Sequence, residues 1–205
     1  QMHNSERLTL AFVQSAANAG ADVANYVEAD RFVMDGNKVT GVKAKDNLTG
    51  KEFDIKAKLV INTAGPWINQ ILNKLGKVDS VKISYYKAMN VIVKKQLSKK
   101  YAVALFPRNN QISNKDFGTI FITPWRGYSL IGLYFKPYSG NPNELRANKE
   151  ELKDFTDYIN ILYPYAALNL NDVSFAHVGL LPVDSNSSSA SFLKQYKIYD
   201  HETLD

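Results

Sequence analysis

The chain has 205 residues, a net charge of +5 and a pI near 9.2, with 45% hydrophobic and 22% charged residues. This is ordinary for a soluble globular protein, excludes a disordered chain, and allows one sizeable core or two small ones. The absence of cysteine excludes disulfide and thiolate chemistry and favours a reducing compartment; no apolar run approaches the ~20 residues that cross a bilayer, and the start has no signal-peptide pattern.

The chain reads as two parts. Leu8, Phe12, Ala16 and Ala19 fall at near-helical spacing after Ser5, which predicts a first helix capped by Ser5 and ended by Gly20. Val23 to Val27 is extended. Arg31 to Met34 and Val39 to Lys43 flank Asp35-Gly36-Asn37 as a hairpin, and Asn47 to Gly50 turns the chain into Phe53 to Ile55. The apolar run from Leu59 predicts a strand to Asn62, followed by a helix from Trp67 to about Leu75. Gly76-Lys77-Val78-Asp79 is the best linker, which sets the expected domains at 1–76 and 80–205.

Beyond the linker the pattern is mostly β. Lys82 to Lys94, Ala102 to Phe106, Thr119 to Thr123, Tyr128 to Tyr134 and Asp172 to Leu181 read as strands between Pro-, Gly- and Asn-rich turns, which suits an antiparallel sheet. One helix interrupts them, with Asn148 as cap, Glu150 and Glu151 at its positive end, an apolar face of Leu152, Phe155, Ile159 and Leu162, and Pro164 after it. Ser185 to Ser191 is a polar loop.

The most informative stretch is Asn62-Thr63-Ala64-Gly65-Pro66-Trp67-Ile68. A turn of small residues behind a short aliphatic strand lets backbone approach a flat ligand, and a helix opening after proline offers unpaired N–H groups. A buried strand, a glycine turn and a proline-started helix would read the same way. No Gly-x-Gly-x-x-Gly follows any strand, no Walker loop or Gly-x-Ser-x-Gly elbow occurs, and three scattered histidines give no metal-site spacing. Lysines are spread along the chain; the nearest thing to a patch is Lys94-Lys95 with Lys99-Lys100, which a solvated loop explains, so no nucleic-acid partner is expected.

Taken in order, Arg7-Leu8, Gly20-Ala21-Asp22-Val23, Asn25-Tyr26, Gly41-Val42, Asp46 with Thr49-Gly50, Asn62 to Trp67, Phe121-Ile122-Thr123-Pro124-Trp125-Arg126-Gly127, Gly179-Leu180-Leu181-Pro182 and Lys194 to His201 resemble the FAD-dependent glycerol-3-phosphate dehydrogenases, a branch of the D-amino-acid-oxidase-like flavoproteins. The resemblance spans nearly the whole chain. It implies an α+β chain: the end of an FAD-binding α/β domain, lacking its N-terminal GxGxxG unit, plus a mainly antiparallel substrate domain with packed helices. By position, Ala29 would meet the adenine, and Thr63, Ala64, Gly65, Pro66 and Trp67 would lie beside the flavin nucleotide.

The implied activity is transfer of hydride from a secondary alcohol, sn-glycerol 3-phosphate, to FAD, with a quinone or oxygen as final acceptor. It further implies a cytoplasmic enzyme, leaving contact with the periphery of the inner membrane open, and an internal fragment of that enzyme that is inactive alone and holds FAD weakly.

The departures fall in the substrate pocket. Where the family has Lys-Gly-Ser-His, this chain has Lys87-Ala88-Met89-Asn90, and asparagine cannot accept a proton at neutral pH. Gly-Thr-Thr-Asp becomes Gly132-Leu133-Tyr134-Phe135, and the arginine of Gly-Leu-Arg-Pro becomes Leu181, which cannot grip an anion. The expected substrate contacts are therefore Lys87, Asn90, Tyr134 and Leu181, with no catalytic base or metal assigned. His177, four residues before Leu181 on the same strand, is a candidate replacement base or simply a core or exposed histidine. The alternative reading is a relative with altered substrate or no activity that binds a ligand or partner; a basic β-rich module binding anionic polymers is a third.

Overall fold

The computed structural model describes residues 4–74, 83–107, 117–183, 193 and 195–201. The expected linker at Gly76 to Asp79 and the polar loop at Ser185 to Ser191 lie outside the described residues. Two compact units form, one of Gln1–Thr63 with Ile71–Gly76 and the other of Ala64–Gln70 with Lys77–Asp205.

In the first unit, helix α1 (Ser5–Asn18) is capped by Asn4 rather than the expected Ser5, because the Asn4 side-chain oxygen accepts the Arg7 N–H at 2.9 Å. Gly20, at φ +95°, follows the helix in the left-handed conformation. Strands β1 (Val27–Asp35), β2 (Lys38–Asp46) and β3 (Glu52–Lys56) make an antiparallel sheet in chain order. The loop into β3 is tied by Asp46, whose carboxylate accepts the Thr49 hydroxyl at 2.6 Å and the Leu48 N–H at 2.8 Å; these bonds hold its carboxyl below the usual range.

The strand expected over Leu59–Asn62 does not form. A strand exists through its ladder, and no neighbouring strand pairs with this run among the described residues. Leu59 and Ile61 are 73% and 75% exposed. Helix α1 likewise buries no residue, and Phe12 on it is 67% exposed. Ala44 on β2 and Leu72 are the buried apolar side chains of this unit among the described residues.

The second unit holds the core. Its strands β4 (Ser84–Val93), β5 (Val103–Leu105), β6 (Phe117–Trp125), β7 (Tyr128–Tyr138) and β8 (Val173–Val183) form one antiparallel sheet in the order β5-β6-β7-β4-β8. Arg126 and Gly127, both at positive φ, close the two-residue β6–β7 hairpin in the sense that matches strand twist. Helix α3 (Lys149–Leu162) begins with the predicted cap: the Asn148 side chain accepts the Glu151 N–H at 2.8 Å and the Glu151 carboxylate accepts the Asn148 N–H at 3.0 Å.

Because side chains alternate across a strand, β4 presents Met89, Val91 and Val93 to one face, joined there by Ile120, Ile122, Ile131 and Tyr134. Phe155, Tyr158 and Ile159 of α3 pack on that face, with the Tyr134 and Phe155 rings 5.8 Å apart. At the same parity Lys87 puts its ammonium 2.5 Å from the Glu151 carboxylate and 2.5 Å from the Arg146 carbonyl, with both side chains nearly fully buried. Glu151 thus serves the helix cap and the strand lysine together.

Two predictions follow the physics of this core. Removing one partner of a buried pair leaves the other charge uncompensated, so Glu151→Ala should lower the urea-unfolding free energy by about 3–5 kcal/mol. Lys153→Ala, which breaks only the exposed Lys153–Asp157 pair, should cost far less. Burial pushes the Tyr158 phenol above its ordinary value, and its hydroxyl donates to the Gly118 carbonyl at 2.8 Å. The unfolded tyrosine ionises first, so this contribution is whole below about pH 10 and declines as pH rises through the higher folded value. Tyr158→Phe should flatten the loss of melting temperature between about pH 9 and pH 11.

Candidate functional site

The face of the second sheet turned away from α3 carries two of the expected substrate contacts, Asn90 and Leu181. Directly opposed residues on neighbouring antiparallel strands share a face, so the pairs Tyr86↔Leu181, Ala88↔Gly179, Asn90↔His177 and Ile92↔Phe175 lie together on the outward side of β4 and β8. Their β8 neighbours Ala176 and Val178 point the other way and pack against the core. Phe175, His177, Gly179 and Leu181 are exposed.

Asn90 is set by a local irregularity. The β4–β7 register shifts between Met89 and Val91, which leaves Asn90 at a bulge, a feature that re-aims one side chain. Its amide lies over Gly132 of β7: a Cβ at position 132 would stand 1.7 Å from the Asn90 Oδ1, so only glycine leaves room for it. The His177 ring meets the Phe175 ring edge to face, centroids 5.0 Å apart.

Lys87 and Tyr134 sit on the opposite, closed face. Lys87 is engaged with Glu151, and Tyr134 is 3% exposed against Phe155. Of the four expected substrate contacts, the sheet therefore brings together Asn90 and Leu181, and adds His177.

The small-residue turn is held in this same unit. A 3-10 turn over Gly65–Trp67 leads into α2 (Ile68–Lys74), slightly earlier than expected. The Trp67 indole N–H donates to the Asn143 side-chain oxygen at 2.9 Å, and the Tyr85 hydroxyl donates to the Gly65 carbonyl at 3.2 Å. Asn69 exchanges hydrogen bonds with the Ile83 backbone, and the Gln70 amide donates to Asn141 at 3.3 Å. Thr63 and Gly65 are exposed. Gly65 has φ +56°, and a Cβ built there meets nothing within 4 Å.

Open backbone of this kind suits close approach by a flat nucleotide, so the residues present fit a flavin. Ala29, in the first unit, is exposed at the β1–β2 bulge between Ala29 and Arg31.

Glu151, Asn143, Tyr85 and Gly132 were not singled out as site residues from the sequence. The spacing Asn148-x-x-Glu151 is a capping-box signal; no sequence signal marks Asn143 as the partner of Trp67, 76 residues away.

The antiparallel sheet with α3 packed on one face, and the exposed glycine turn tied to it, match the α+β flavoprotein architecture that the sequence implies. In agreement, the FAD dependent oxidoreductase family matches residues 1–195, and the chain belongs to that family. It is similar to the alpha-glycerophosphate oxidase of Streptococcus pyogenes serotype M6, 30% identical over 192 residues, covering 93% of this chain and 31% of the relative. It is also similar to the aerobic glycerol-3-phosphate dehydrogenase of Staphylococcus aureus strain COL, 28% identical over 181 residues, covering 86% and 31%. Among solved structures, the glycerol-3-phosphate dehydrogenase from Bacillus halodurans complexed with FAD aligns with a TM-score of 0.76 at 30% identity, covering 86% of this chain and 35% of that one. The L-proline dehydrogenase from P. horikoshii shares the fold, with a TM-score of 0.60 at 22% identity over 88% of this chain and 44% of that one. The chain thus spans 31% of the length of these curated relatives.

No helix among the described residues is long and apolar enough to cross a membrane, and no cluster of metal-ligating side chains occurs among them.

The glycines provide a direct check of this geometry. Gly132→Ala should cost about 1–3 kcal/mol in urea unfolding and shift the Asn90 side-chain amide resonances, because the new methyl overpacks against that amide. Gly179→Ala, on the same open face with nothing within 4 Å of its Cβ direction, should leave both unchanged.

Proposed function

We propose that the whole protein is an FAD-dependent oxidoreductase that oxidises a secondary alcohol, with the open face of the β4–β8 sheet as its substrate side. The observation that carries this reading is the uncovered Gly65 backbone, fixed through Tyr85 to the start of the strand that carries Asn90. Bound against Thr63, Ala64 and Gly65, FAD would supply the two-electron acceptor for the substrate hydride and return those electrons to a quinone or oxygen. The protein's part is to hold the flavin by main chain, to orient the alcohol over the sheet, and to hydrogen-bond its hydroxyl through Asn90 and His177.

The expected division at the linker Gly76 to Asp79, into 1–76 and 80–205, is retained in this proposal as the boundary between nucleotide-side and substrate-side sequence. The exposed apolar residues of α1 and the Leu59–Ile61 run support a first unit that functions within a larger FAD-binding domain.

The two curated relatives and the Bacillus halodurans structure named above carry glycerol phosphate in their names. A second reading, a changed substrate, is favoured by Leu181: it stands exposed on the open face where those relatives would be expected to place an anion-gripping arginine.

The test is anaerobic absorbance of the purified whole protein. A bound flavin spectrum that bleaches on addition of an alcohol from a panel including sn-glycerol 3-phosphate is the expected result. No bleaching by any hydroxy compound would defeat the oxidoreductase reading. Gly65→Ala, which places a methyl in the open space at a left-handed φ and so costs about 1–2 kcal/mol of backbone strain, should reduce flavin retained through purification while the circular dichroism spectrum stays native-like.

A further inference from the structure

We infer that the open sheet face takes an uncharged, largely apolar alcohol, whose hydroxyl is bracketed by Asn90 and His177; this rests on the reading of that face as the substrate side. The five strands contain no arginine, aspartate or glutamate and two lysines, Lys87 and Lys136. Those two lie directly opposite each other in the β4–β7 register, so they share the parity of the closed face. Every outward position on β4, β5, β6, β7 and β8 is therefore uncharged, in a chain with a net charge of +5.

A phosphorylated ligand seated here would give up its hydration without a cation on the sheet to replace it, a cost of several kcal/mol per buried charge. An apolar ligand instead finds exposed Phe175, Phe121 and Leu181.

The face still discriminates. Asn90 and His177 are opposed across the β4–β8 pair, which brings their Cβ atoms to about 5 Å. Among the described residues neither side chain makes a hydrogen bond. Between them they offer an amide donor, a carbonyl acceptor and an imidazole that can donate or accept. One hydroxyl set between two such groups can give its proton to one and accept from the other.

The experiment is calorimetric titration of the whole protein with three probes: 1-phenylethanol, ethylbenzene, which has the same shape without the hydroxyl, and sn-glycerol 3-phosphate. The expected result is that 1-phenylethanol binds about tenfold tighter than ethylbenzene, the factor one net hydrogen bond supplies, and that sn-glycerol 3-phosphate shows no saturable binding. His177→Phe and Asn90→Leu should each abolish that tenfold preference while ethylbenzene binding persists, which also shows that the variants remain folded. Saturable binding of sn-glycerol 3-phosphate that these substitutions weaken would overturn the uncharged-ligand inference and leave the face as the substrate side. Binding of any probe that neither substitution alters, or no binding of all three, would overturn both.

Discussion

The buried ion pair between Lys87 and Glu151 is the joint on which the second unit turns. It is a costly arrangement, because both charges leave water, and it holds only because the remaining hydrogen-bonding capacity is spent on the Arg146 carbonyl and the Asn148 N–H. In return it locks the first turn of α3 to β4 at a single register. Once that register is set, Met89, Val91 and Val93 must lie beneath the helix, and Tyr86, Ala88, Asn90 and Ile92 must face away from it. A slip of one residue would bury Asn90 and expose the core.

The functional consequence is a sheet with two chemically distinct sides. The closed side carries the strand lysines and the large buried aromatics. The other side is uncharged, with polar groups concentrated at the Asn90–His177 pair. The Gly65 turn, tied through Tyr85 and Asn143, belongs to the same compact unit, so the open glycine backbone and the uncharged sheet face are built on one scaffold. Short hydrogen-bonded anchors from rigid elements suit a site of this kind, since loose positioning of a cofactor relative to substrate is expensive in rate.

The first unit is built differently. Its hairpins are well formed, yet α1 and the Leu59–Ile61 run leave their apolar side chains in contact with solvent. A helix of this length draws its stability from tertiary packing more than from propensity. The chain belongs to the FAD dependent oxidoreductase family and spans 31% of the length of its curated relatives.

Local rules written in the sequence determined much of this molecule. The Asn148-x-x-Glu151 cap, the apolar face of α3, the turn between Thr123 and Tyr128 and the order of five β-segments along the chain were legible because each depends on residues within a few positions of one another. The family was legible for the related reason that short motifs recur in fixed order. Tertiary structure alone decided that Leu59–Asn62 forms no strand, that Lys87 pairs with Glu151 some 64 positions away, that Tyr134 is core, and that Asn90 and His177 stand side by side. Those outcomes depend on which strands become neighbours, and strand pairing joins residues whose separation along the chain carries no periodic signal.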